Sequence, residues 1–176
     1  MLEHGNYLES SHTINSLIQK YFHFTLPEYS PFIIIVTLSV LFMIFLGIKR
    51  KQMLKGADPE KANEQLFIIS YFISVALIPN LVITDTEHFL LSLPLIMTLL
   101  YYVAFAKNYL ALGAFIVLIF FFGGNSTDLL GKSLSGKFDE LGLLGISNLI
   151  IISIAVYLFS FSNKSMKQFS LPGNKI

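Results

Sequence analysis

The side chains best suited to chemistry are clustered in Thr84-Asp85-Thr86-Glu87-His88. Asp85, Glu87 and His88 together offer anionic, proton-accepting and hydrogen-bonding groups to a ligand. Their spacing leaves two readings open. One is a binding or catalytic rim facing an aqueous cleft. The other is a solvated turn in which Asp85 or Thr86 caps a helix that starts at Phe89. No metal is expected there, because the three residues lack the helical HExxH-type spacing that sets two imidazoles on one ion. Gly123-Gly124-Asn125-Ser126-Thr127 has neither the GxxxxGK[ST] nor the GxGxxG pattern, so it reads as the start of a loop and not as a phosphate cradle. The chain contains no cysteine, which removes disulfides and thiolate metal sites from consideration. No cofactor is expected.

The elements that must hold such a rim are set by composition. Of 176 residues, 54% are hydrophobic and 13% charged, and the mean hydropathy is +0.67. A soluble domain carries about 25% charged residues. A cytosolic globule, a disordered chain and a disulfide-stapled secreted domain are therefore excluded. Twelve Lys and Arg against 11 Asp and Glu leave a net charge of +1, too little for a nucleic-acid surface. The expected fold is an all-α polytopic transmembrane bundle in contact with a lipid bilayer.

A span needs roughly 20 apolar residues to cross about 30 Å of hydrocarbon. Residues 31–48, 66–83 and 143–161 fit. The apolar stretch 89–122 would make one helix of roughly 51 Å, too long for a single crossing. Lys107-Asn108 is its natural turn, giving spans 89–106 and 109–122. Lys49, Arg50, Lys51, Lys55, Lys61, Lys107, Lys164, Lys167 and Lys175 then share one side, with Lys20, Lys132 and Lys137 opposite. The positive-inside rule makes the first side cytoplasmic. The expectation is five spans, N-out and C-in, in a bacterial plasma membrane, with residues 163–176 as a basic cytoplasmic tail. The Thr84–His88 and Gly124–Leu141 loops face outward. A complete chain would insert through its first span, since no cleavable leader is visible.

Residues 1–30 form an external segment. In it Ile14, Leu17, Ile18, Tyr21 and Phe22 make a helical apolar stripe that Thr13 can cap. On the inner side, Asp58-Pro59-Glu60 reads as the start of a helix running into the second span. The span interiors lack Asp, Glu, Arg and His, which argues against a pump, carrier or channel.

Several segments, in order, resemble a known family. Gly5-Asn6 and Ser11 to Phe22 are similar to an external loop followed by a short helix. Pro79-Asn80-Leu81-Val82 through Thr86-Glu87-His88-Phe89 and Leu93-Pro94-Leu95 resemble an element entering a span. Phe138-Asp139-Glu140-Leu141-Gly142-Leu143-Leu144-Gly145 resembles the approach to a terminal span. Together they resemble the C-terminal half of the polyprenol-phosphate-mannose-dependent glycosyltransferases of family 87, multi-span enzymes of the GT-C class. The resemblance implies transfer of a hexose, typically mannose, from a polyprenyl-phosphate donor to a lipid or cell-envelope glycan. His88, Asp85 and Glu87 would line the sugar or lipid-phosphate site, with His88 donating to phosphate. Asn15, Ser16 and Lys20 would be secondary substrate contacts. The family's catalytic carboxylate lies in an early external loop that has no counterpart here, so the resemblance implies a missing N-terminal half or partner chain. The alternative is a non-catalytic membrane subunit or scaffold packed against a partner.

Overall fold

The computed structural model describes residues 12–23, 26–27, 29–53, 59–82, 86–105, 109–124 and 127–161. Asp85, Asp58, the Gly5-Asn6 motif, the Lys107-Asn108 turn and the basic tail lie outside them. Every regular element among the described residues is helical. In chain order they are α1 (Ile14–Phe22), α2 (Ser30–Met53), α3 (Pro59–Leu81), a 3-10 segment (Thr86–Ser92), α4 (Leu93–Phe105), α5 (Tyr109–Gly123), α6 (Thr127–Glu140) and α7 (Leu143–Phe161).

Three helices are long and apolar enough to cross a membrane: Ser30–Gln52, Asn63–Leu81 and Thr86–Ala104. Leu130–Glu140 and Leu143–Phe159, bent by 65°, make a fourth if the pair is taken as one broken span, and Tyr109–Gly123 is apolar but shorter. Each of the five segments expected as spans is helical over most of its length.

Local sequence explains the helix ends. Thr13 caps α1 by accepting from the Ser16 amide at 3.2 Å, and His23 ends the helix in the left-handed conformation at φ 51°. The third apolar segment was expected to be helical from Phe89, but α4 begins at Leu93. Pro94 supplies no amide hydrogen and restricts the residue before it, so it suits the first turn of a helix and not its interior. The residues ahead of it take the tighter 3-10 form.

Residues 124–141 were expected to be a loop and are instead mostly α6, interrupted at Gly131, which has φ 72° and ψ 161°. Glycine and serine hide this helix from a propensity reading. Its fixing contact is tertiary: the Phe138 ring packs on Phe121 of α5, centroids 5.8 Å apart. Gly142, at φ 69°, then turns the chain into α7, as glycine does past a helix end.

α7 is the central element and packs against α3, α4, α5, α6 and the 3-10 segment. Ile73 and Ala76 of α3, Leu95 and Leu99 of α4, Phe115 of α5, and Ile151 and Ala155 of α7 form the shared core. α2 stands at the side against α3, and its most apolar stretch has no residue buried inside the chain. End-to-end contacts fix the helix directions. Arg50 donates to Asn63 at 3.2 Å, and Lys49 lies 6.0 Å from the centroid of the Phe159 ring, which gathers the end of α2, the start of α3 and the end of α7. At the opposite end Phe89 meets Phe122, with centroids 6.4 Å apart.

Ile151 is fully buried at 0% exposure. Ile151→Ala should lower the unfolding free energy in mixed micelles by about 2 kcal/mol, the low end for a cavity of this size. Titration with a denaturing detergent measures it.

Candidate functional site

Polar side chains are concentrated at the end of the bundle opposite Lys49 and Arg50. α3 delivers the first of them. Pro79 lies inside the helix, where its missing amide and its ring disturb the hydrogen-bond ladder one turn back. Beside it, the Ala76 carbonyl accepts from two neighbouring elements, from Asn148 Nδ2 of α7 at 2.8 Å and Ser92 Oγ at 3.4 Å. Asn80 follows the proline and is completely buried. Its Nδ2 donates to the carbonyls of His12 at 3.0 Å and Gly145 at 3.1 Å, and its Oδ1 accepts from Asn148 Nδ2 at 2.6 Å. One amide thus joins α3, α7 and the chain entering α1. Asn148 Oδ1 is buried with no hydrogen-bond partner among the described residues.

His12 is the second junction, only 4% exposed. Its Nε2 lies 2.8 Å from Asp139 Oδ1 of α6, and the ring stands edge-on to Phe89, centroids 5.9 Å apart. The close approach requires glycine at 145, because a Cβ there would come 2.3 Å from the His12 carbonyl oxygen, a rigid backbone atom. At the far end of α1 the Tyr21 hydroxyl donates to the Leu141 carbonyl at 2.6 Å, and Lys20 Nζ donates to the Glu140 carbonyl.

The residues singled out from sequence divide into two groups. Glu87 and His88 are exposed on the 3-10 segment, next to the buried anchor Phe89. Asp85 falls outside the described residues. Asn15, Ser16 and Lys20 are on α1 and bond within the chain. Asn15 Oδ1 accepts from Ser30 Oγ at 2.9 Å, which ties α1 to the start of α2. Ser16 bonds Thr13 through its amide and hydroxyl, and Lys20 holds α6. The contact between His12 and Phe89 brings these two groups to one end of the bundle. Among the described residues no three His, Cys, Asp or Glu side chains gather as metal ligands.

A search of the spans for ionisable groups passes over Asn80, Asn148 and His12. The available signal was asparagine within otherwise apolar helices, since a side-chain amide placed there must find partners inside the protein. Chemically, the site is a hydrogen-bonded frame with a polar rim. The frame fixes α1 and the 3-10 segment, and the rim presents Glu87 and His88 to solvent. Comparison of the chain with family models, with curated proteins and with solved structures returns no match.

Replacing Asn80 by Leu would take the side-chain donor from the His12 and Gly145 carbonyls and leave Asn148 Nδ2 with the Ala76 carbonyl alone. Asn80→Leu is expected to cost about 1–3 kcal/mol, and Asn148→Leu less, because Asn148 already has a buried oxygen without a bond. The two variants are compared by detergent titration, with protease cutting in α1 as the local readout. Asn80→Leu should expose α1 to cutting well before the bundle unfolds.

Proposed function

We propose that this chain is the C-terminal membrane portion of a hexosyltransferase that draws on a polyprenyl-phosphate sugar. In this reading it lies in the plasma membrane with five spans, N-out and C-in. One observation carries the proposal. The three described segments that resemble the family, around α1, around Asn80 to Leu95, and from Phe138 to Gly145, are far apart in sequence yet meet through His12, Asn80, Lys20 and Tyr21. Convergence of separate segments on one polar end is what a substrate site at a membrane surface needs.

The division of labour follows from the groups present. A polyprenyl-phosphate donor carries a phosphate that leaves with the electrons of the bond to the sugar, so donors near it stabilise the departing charge. His88 is assigned that task, with Glu87 and Asp85 binding sugar hydroxyls. Lys20, Asn15 and Ser16 act from α1, chiefly by holding its position. The general base that takes the acceptor proton belongs to the missing N-terminal half or to a partner chain. A non-catalytic subunit remains the second reading, favoured by the unburied apolar stretch of α2, which offers a packing face to another membrane protein.

Two experiments test this. Because the chain lacks cysteine, single cysteines report topology directly. A membrane-impermeant maleimide applied to intact cells should label Glu87→Cys and spare Lys51→Cys, and the reverse pattern would invert the orientation. For activity, His88→Ala and Glu87→Gln in the native assembly should each reduce hexose transfer from the polyprenyl-phosphate donor at least about tenfold, a threshold set below the roughly hundredfold loss usual for removing one transition-state donor, at unchanged protein level. Unchanged transfer in both variants removes the enzyme reading and leaves the subunit.

A further inference from the structure

α1 is pinned at three places and does not lie flush on α7. His12 is held by Asp139 and Asn80, Asn15 by Ser30, and Tyr21 by the Leu141 carbonyl. Beneath the helix remains a cleft of about 540 Å³, lined on one wall by Leu17, Ile18 and Phe22 and on the other by Ile146, Leu149 and Ser153. A second cleft of about 480 Å³ lies between α2, α3 and α7, and it shares Ile14, Leu149 and Ser153 with the first. The two therefore adjoin, and they descend along α7 from Ile146 to Val156.

We infer that these adjoining clefts hold one acyl chain of a bilayer phospholipid from the leaflet on the α1 side. Depth is the first reason. Ile146 to Val156 cover about 15 Å of α7 at 1.5 Å per residue, roughly half of a 30 Å hydrocarbon core. That is one leaflet, the depth an acyl chain occupies. Lining is the second, since the walls are almost wholly apolar and water gains nothing there. Charge is the third. Tyr21 and Lys20 sit on the carbonyls of Leu141 and Glu140 at the upper edge, as interfacial anchors do, and the Lys20 ammonium keeps donors that suit a phosphodiester. The bound chain fills the space that the pinning of α1 leaves open. The inference rests on the chain spanning a membrane and is independent of hexosyl transfer.

Native mass spectrometry of the full chain, released from nanodiscs of phosphatidylethanolamine and phosphatidylglycerol, tests it. One retained phospholipid per chain is expected. Ser153→Trp fills the junction of the two clefts and should lower that occupancy about tenfold, whereas Ile116→Trp, on the outward face of α5, should leave it unchanged. If Ser153→Trp does not fold, the unaltered chain is irradiated with a phospholipid carrying a mid-chain diazirine. Crosslinks should then concentrate on residues 14–22, 38–45, 73–81 and 146–156, which wall the two clefts. The inference is overturned by no retained lipid, by retention indifferent to Ser153→Trp, by crosslinks as frequent on α5 as on the cleft walls, or by a polyprenyl lipid or another protein helix in the cleft.

Discussion

A primary amide buried among apolar side chains must place its hydrogens and its oxygen on protein partners, because the surroundings offer none. Asn80 meets that requirement by joining its own helix to α7 and to the chain entering α1, and the upper end of the bundle is arranged around it. Its two donors hold the carbonyls of His12 and Gly145, and its oxygen holds Asn148. Each partner imposes a further demand. Gly145 must lack a side chain so that the His12 backbone can come close. His12, drawn inward, becomes buried and takes Asp139 as its partner. The neighbouring Pro79 leaves α3 with an altered ladder, and the Ala76 carbonyl is bonded by side chains of α7 and the 3-10 segment.

The same frame accounts for the two surfaces on which function is proposed. Above it, Phe89 is locked against His12 and Phe122, so Glu87 and His88, just before it, are presented from a short 3-10 segment with a fixed anchor. Below it, α1 is held by its ends over α7, and an apolar cleft lies between the two helices. One hydrogen-bonded knot thus positions a polar rim and an apolar cleft within the same layer. A ligand with a charged head and a hydrocarbon chain matches such a layer in kind, and both the lipid-linked donor and the phospholipid are molecules of that form.

Much of this was legible in the residues. The apolar runs located the long helices because a run of that length has one common use. The stripe from Ile14 to Phe22 with Thr13 before it predicted α1 and its cap, and both are present. Less legible was α6, whose glycines and serines read as a loop until Phe138 is seen packed on Phe121. α4 starts four residues after Phe89, because Pro94 suits the first turn of a helix and the turn before it takes the 3-10 form. For the site, two carboxylates and a histidine mark residues 84–88, whereas Asn80 and Asn148 are marked only by lying within apolar helices. An asparagine has the same side chain whether it faces solvent or, like Asn80, joins two helices to the chain entering a third.

The sequence by itself determined that the chain is helical and apolar, where its long helices run, and which of their ends carry the basic residues. Those properties are local: hydropathy over a window, a capping residue, the position of a lysine. Only the tertiary structure decided that His12 meets Asp139 across 127 positions of sequence, that Asn80 joins His12 to Gly145, and that a cleft is left beneath α1. Those depend on which helix faces meet and at what depth. That is settled by packing and by the need of buried polar groups for partners, and no single segment carries it.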